Sequence, residues 1–182
     1  YTSPIKALSN QKYYDFIQKY PHISFGIMTG DIKVNPDADV LIMTTEILMN
    51  HLFMMNNESK SQLQFQMDIN KDLACVVFDE IHYINDVDRG RVWEQTILML
   101  PPHIQMIMLS ATIDAPEKFA KWCEKPESGK QVYLSSTYAR IVPLVHYGYL
   151  VVNDGTLKSL KDKETIAKLQ KSTGTLIPLK SE

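Results

Sequence analysis

The sequence predicts an α/β protein, a mostly parallel sheet covered by helices. Two observations carry this. Apolar runs such as Leu73–Phe78 (LACVVF), Ala38–Met43 (ADVLIM) and Ile104–Leu109 (IQMIML) read as strands buried on both faces. Stretches with helical spacing of apolar residues separate them, and strands alternating with helices form parallel sheets.

Ile5 to Tyr20 carries a helical rhythm through Ile5, Leu8, Tyr13, Phe16, Ile17 and Tyr20, and Pro21 ends it. Ile23–Met28 is a short strand, after which Thr29-Gly30-Asp31 turns away; Asn35-Pro36-Asp37 is loop by composition. After Ala38–Met43, Thr44-Thr45 opens a helix over Glu46 to about Met55, with Ile47, Leu48, His51 and Leu52 on one side. Asn56–Lys71 is polar and glutamine-rich. It reads as a surface-loop insertion with a short extended segment in which Leu63, Phe65, Met67 and Ile69 alternate. Arg91–Met99 is a helix with Val92, Trp93, Thr96, Ile97 and Leu100 inward, stopped by Pro101-Pro102. Asp114, Pro116 and Glu117 predict a capping-box start for a helix reaching about Cys123. Trp93 and Trp122 lie on apolar helix faces and read as core. Gln131–Leu134 and Pro143–Val151 read as strands. A lysine-rich helical pattern then runs through Leu157, Leu160, Ile166 and Leu169. The expected organisation is one domain over 1–153 and a linker over 154–182.

The length of 182 residues suits one domain with a real core. With 45% hydrophobic and 22% charged residues, wholesale disorder is excluded. A net charge of −2 predicts no broad basic face, so any nucleic-acid contact is local, at loops and helix ends. Cys75 and Cys123 make no disulfide framework and fit buried thiols in a reducing, intracellular compartment, cytoplasmic or nuclear. No apolar run approaches a membrane span. Asn57-Glu58-Ser59 matches a glycosylation sequon by chance in such a chain. The sequence opens at Tyr1-Thr2-Ser3-Pro4, without a methionine and at the end of a strand, and reads as a piece of a longer polypeptide.

The chemistry gathers at three strand ends. One run ends in Thr44-Thr45-Glu46, one in Asp79-Glu80-Ile81-His82, and one in Ser110-Ala111-Thr112. If the strands are parallel, hydroxyls, carboxylates and an imidazole share one rim, where α/β sheets bind ligands. Two carboxylates there are poorly solvated unless a cation or a reaction uses them. An acid pair of this kind suits a hydrated magnesium ion and an attacking water, and helix N-termini behind it suit phosphate. A calcium loop over Asp86–Gly90 is excluded, because the glycine falls one place early and no closing glutamate follows. His51 and His103 lack partners at zinc-ligand spacing.

These stretches resemble the motifs of superfamily-two helicases. Tyr1–Gln11 (YTSPIKALSNQ) is similar to motif Ia, Gly26–Asp31 to motif Ib, and Met43–Leu48 to motif Ic. Asp79-Glu80-Ile81-His82, with Tyr83–Asp86, Arg89-Gly90 and Trp93-Glu94, resembles the extended motif II of the Ski-like DExH-box RNA helicases, the exosome-associated branch. Ser110-Ala111-Thr112 resembles motif III, and Arg140–His146 the segment after it. The resemblance implies a RecA-like fold of the P-loop NTPase type, ATP and magnesium as cofactors, and RNA as partner.

It also implies roles. Asp79 would hold magnesium through water, and Glu80 would orient or deprotonate the attacking water. His82 would link the nucleotide site to motif III, while Ser110 and Thr112 would hydrogen-bond to motif II. Pro4, Lys6, Gly30, Thr44 and Thr45 would lie along the nucleic-acid backbone, contacting phosphates without reading sequence. The bland alternatives are a packed histidine at His82, a turn cap at Ser110 and Thr112, and a solvated cation at Lys6.

The pattern also requires a phosphate-binding loop, G-x-x-x-x-G-K-[ST]. Gly129-Lys130 fails it, with Glu124 where the first glycine belongs and Gln131 after the lysine. The expectation is an incomplete RecA-like domain without the P-loop strand, catalytically incompetent alone, with an uncovered apolar sheet edge. Its partners would be a second RecA-like domain, RNA, and an RNA-decay complex. A non-catalytic RNA- or protein-binding module, or a DNA helicase of a related branch, are the alternatives.

Overall fold

The computed structural model describes residues 1–56, 67–124, 130–137, 145, 147–149, 151, 161–174 and 176–178. The chain divides into two compact units, Tyr1–Leu134 and Ser135–Glu182.

In the first unit the elements run β1 (Thr2–Ser3), α1 (Lys6–Lys19), β2 (Phe25–Met28), β3 (Lys33–Val34), β4 (Val40–Thr44) and α2 (Thr45–Asn56). They continue with α3 (Ile69–Asp72), β5 (Cys75–Phe78), a 3-10 turn (Ile81–Asn85), α4 (Gly90–Met99), β6 (Gln105–Met108) and α5 (Pro116–Cys123). The six strands form one sheet in the order β3-β2-β4-β1-β5-β6. Every pairing is parallel except β2 with β3. This is the mostly parallel, helix-flanked sheet that the apolar runs predict.

Side chains alternate across the sheet. Val76 and Phe78 of β5 are buried in one cluster with Leu48, Trp93, Ile97 and Leu100, where α2 packs on α4. Residues of the opposite parity meet α1: Ser3 Oγ lies 2.7 Å from Ser9 Oγ, and Tyr1 stacks edge-on against Phe16. On that face Cys75 and Val77 are only half-buried. β6 stands at the sheet edge, with Ile107 and Leu109 41% and 45% exposed.

Several expectations are corrected. Asn56–Lys71 is not all surface loop: α2 extends to Asn56, and α3 follows at Ile69, whose side chain is fully buried. Asp68 Oδ1 accepts the Asn70 amide at 3.0 Å, and this cap makes a short helix cheaper than an extended segment. Leu63, Phe65 and the 57–59 sequon lie outside the described residues. The capping box before α5 does not form. Ala115, at φ 47°, precedes the helix with no side-chain cap, and Pro116 opens it through its fixed φ. Trp122 is not core; it is 41% exposed and stacks on Phe119. Gln131–Leu134 forms no strand, since its β-forming residues find no ladder and Tyr133 is 88% exposed.

In the second unit β7 (Tyr147–Tyr149) pairs antiparallel with β8 (Leu176–Pro178). The strand expected over Pro143–Val151 is therefore confined, among the described residues, to Tyr147–Tyr149. α6 (Lys163–Ser172) carries Ile166 and Leu169 of the lysine-rich helical pattern, and Asp162 caps it by accepting from the Thr165 amide at 2.9 Å. Leu157, Leu160 and, apart from Val145, the stretch Arg140–His146 lie outside the described residues.

Candidate active site

Parallel pairing brings the carboxyl ends of β4, β1, β5 and β6 to one rim. Asp79 follows β5 directly and its amide donates to the Thr2 carbonyl at 2.9 Å, so the acid is anchored to the central strand. Its Oδ1 accepts the Glu80 amide at 3.0 Å, and its Oδ2 accepts the Tyr1 hydroxyl. Burial, with help from that hydrogen bond and from the charges of Asp79 and Glu80, raises the Tyr1 phenol above its ordinary range. Tyr1 therefore stays a donor to the carboxylate.

Glu80 sits at φ 52°, ψ 47°, a left-handed conformation that costs a residue with a Cβ. Strain of this kind concentrates where a side chain must be aimed. The 3-10 turn that follows is stitched to β6, since the Ile81 amide donates to the Leu109 carbonyl at 2.9 Å. His82 Nδ1 lies 3.3 Å from Glu80 Oε2 without hydrogen-bond geometry, and its ring packs on Tyr83, which stacks on Trp93. Ser110 and Thr112 are exposed, and the Ser110 hydroxyl donates to the Thr112 carbonyl at 3.1 Å. In this structure the end of β6 is joined to the acid segment by the main-chain bond from Ile81.

Beside the acids on the same rim lies an open groove of about 560 Å³, lined by Pro4, Lys6, Gly30, Thr44, Glu46 and Arg89 among others. Four of the five residues expected on the nucleic-acid side are thus together. The fifth, Thr45, is fully buried and its hydroxyl donates to the Ser3 carbonyl at 3.4 Å. It fastens α2 to β1 and does not face the groove. A larger concavity, among Phe25, Leu41, Cys75 and Val77, opens at the amino ends of the strands, away from Glu80.

Three residues that sequence reasoning gave no role belong to the rim. Tyr1 orients Asp79. Arg89 donates through Nη2 to the Pro4 carbonyl at 2.5 Å and pairs with Glu46. The sequence signs of Arg89 and Glu46 are their places in the extended motif II and in the segment similar to motif Ic, and neither assigns the pairing.

Two carboxylates at a strand end fit magnesium, which takes one or two carboxylates and completes its shell with water and phosphate oxygens. Among the described residues no cluster of three or more His, Cys, Asp or Glu could hold a metal by itself. No described helix is long and apolar enough to cross a membrane.

The rim can be compared with known proteins. Antiviral helicase SKI2 of Saccharomyces cerevisiae is 48% identical over 144 residues, 79% of this chain and 10% of that protein. Superkiller complex protein 2 of Homo sapiens is 48% identical over 147 residues, 81% of this chain and 11% of that one. ATP-dependent RNA helicase mtr4 of Schizosaccharomyces pombe is 43% identical over 155 residues, 85% of this chain and 13% of that one. The chain thus spans about a tenth of the length of these Ski2-like and Mtr4-like relatives. The DEAD/DEAH box helicase family matches residues 1–119, which hold both the acid pair and the groove. Rim and match coincide, and the chain belongs to the DEAD/DEAH box helicase family.

Proposed function

We propose that this chain is part of an ATP-dependent RNA helicase, contributing the magnesium-and-water side of an ATP site and one wall of an RNA groove. The observation that supports this best is the shared rim: Asp79 and Glu80 end β5, and the groove of Pro4, Lys6, Gly30 and Thr44 opens beside them. Relatives named as RNA helicases are 37–45% identical to the chain where they match.

Asp79, held by Tyr1 and by its link to Thr2, would take magnesium through water, and magnesium held there would supply positive charge against phosphate oxygens. Glu80, aimed by its left-handed backbone, orients a water or accepts its proton. His82, between Glu80 and the Tyr83–Trp93 stack, transmits the state of the acids to α4. Pro4, Lys6, Gly30 and Thr44 contact phosphates, with Thr45 holding α2 in place behind them. A second RecA-like domain and an RNA-decay complex are the proposed partners, and the compartment is intracellular.

The sequence holds no G-x-x-x-x-G-K-[ST] loop, so the isolated chain lacks a phosphate cradle and should hydrolyse ATP negligibly. In the full-length protein, hydrolysis should be stimulated by RNA and fall at least about 100-fold in Glu80→Gln. Unwinding of matched RNA and DNA duplexes separates RNA from DNA helicases. Absence of hydrolysis by the full-length protein, or an unaffected Glu80→Gln, would return the chain to a non-catalytic binding module.

A further inference from the structure

The groove contains two cations, Lys6 and Arg89, and each is already paired with a carboxylate of the same chain. Lys6 Nζ lies 2.5 Å from Asp31 Oδ2, and Arg89 pairs with Glu46. All four side chains are about one-third exposed or more, so both pairs are open to an incoming ligand. The surroundings favour an anion. α1 begins at Lys6 and α2 at Thr45, so two helices of more than ten residues present their positive ends here. Gly30 keeps the Lys6 ammonium uncovered, since a Cβ would sit 3.2 Å from Nζ. Arg89 offers a planar fork able to take two oxygens of a carboxylate or a phosphate alike.

We infer that Asp31 and Glu46 set the groove's affinity for nucleic-acid phosphate by occupying its two cations in the free protein. This rests on the reading of the groove as a nucleic-acid contact. A phosphate entering at Pro4 and Thr44 meets no free cation; it must displace Glu46 from Arg89 and Asp31 from Lys6. The two carboxylates are competitors that weaken non-specific capture and let a strand be released. A purely structural pair acts in the opposite sense, because breaking a tie between helices loosens the groove and weakens binding.

The sign therefore decides. In the full-length protein, binding of a labelled oligouridylate of about 12 nucleotides is followed by fluorescence anisotropy. Glu46→Gln and Asp31→Asn should each tighten binding about three- to fivefold. Arg89→Ala should weaken it, and Glu46→Gln should add nothing in an Arg89→Ala background. Asp37→Asn makes the same charge change at the exposed amino end of β4, away from the groove, and should change nothing. Melting curves confirm that each variant is folded. If Glu46→Gln and Asp31→Asn weaken binding or leave it unchanged while Arg89→Ala weakens it, the inference is wrong and the groove reading stands. An equal gain from Asp37→Asn also overturns it, leaving only net charge. If the wild type does not bind the oligonucleotide, the groove reading fails and takes the inference with it.

Discussion

The amide of Ile81 donates to the carbonyl of Leu109 at 2.9 Å, so the turn after the acid pair hangs on the end of β6 by its main chain. Ser110 and Thr112, the hydroxyls next in sequence, are exposed, and the Ser110 hydroxyl donates to the Thr112 carbonyl. Ser110→Ala and Thr112→Ala should each change the stability of the chain by no more than about 0.5 kcal/mol in urea denaturation. A larger loss would show that the hydroxyls hold the acid segment after all.

Glu80 is a glutamate in a glycine's conformation. Glu80→Gly should relieve the strain and leave the chain as stable as wild type or up to about 1 kcal/mol more so, while ending hydrolysis in the full-length protein. Glu80→Gln keeps the strain and should match wild type in stability. Urea denaturation of the three chains separates the conformational effect from the chemical one. A clear loss of stability in Glu80→Gly would contradict the strain.

Two glycines should respond differently to a methyl group. A Cβ at Gly90 would lie 2.2 Å from the Ile84 carbonyl oxygen, which the 3-10 turn fixes in place. Gly90→Ala should cost about 3 kcal/mol. At Gly30 the Cβ meets only the end of the Lys6 side chain, which can swing aside. Gly30→Ala should stay within about 0.5 kcal/mol of wild type in thermal melts yet weaken oligonucleotide binding by the full-length protein.

Much of this rim is legible in the sequence because strand ends announce themselves. Apolar runs stop at Thr44, Asp79 and Ser110, and parallel order follows from the helices between them. What the sequence hides is of two kinds. Backbone conformation is one: nothing in the letters of Asp79-Glu80 signals a positive φ, and Ala115 takes a left-handed turn where Asp114 looked like a cap. Pairing at a distance is the other. Arg89 finds Glu46 43 residues away and Pro4 85 away, and only the closed sheet brings them together. The run Gln131–Leu134 fails for a related reason, since a strand is made by its neighbour as much as by its residues.

Burial pushes the Cys123 thiol up to about 11, only partly offset by the charge of Lys130. The folded chain thus keeps a proton that the unfolded chain releases near the ordinary 9.0. This contribution to stability is intact below about pH 9 and is lost as pH rises toward about 11. Iodoacetamide at pH 8 should leave Cys123 unmodified until urea unfolds the chain, as peptide mass mapping would show. Prompt labelling in the folded state would refute the burial.

The β6 edge offers Ile107, and Leu109 just after it, to solvent, and an uncovered apolar strand edge recruits other strands. The isolated chain should self-associate in size-exclusion chromatography, and Ile107→Lys should shift it toward monomer. A wild-type chain that elutes as a monomer at high concentration would exclude this.

The short strand β1 has one more consequence, and it concerns time. Tyr1 bonds to Leu41, 40 residues along the chain, and to Asp79, 78 residues along, from the middle of the sheet. Its two neighbours, β4 and β5, both lie far along the chain, so the centre of the sheet is held by non-local pairing alone. Contacts of such sequence separation put folding in the slow, non-local class. The carboxylate that the chemistry depends on meets its tyrosine only where β1 lies between β4 and β5, so the acid pair is fully oriented only in the closed sheet.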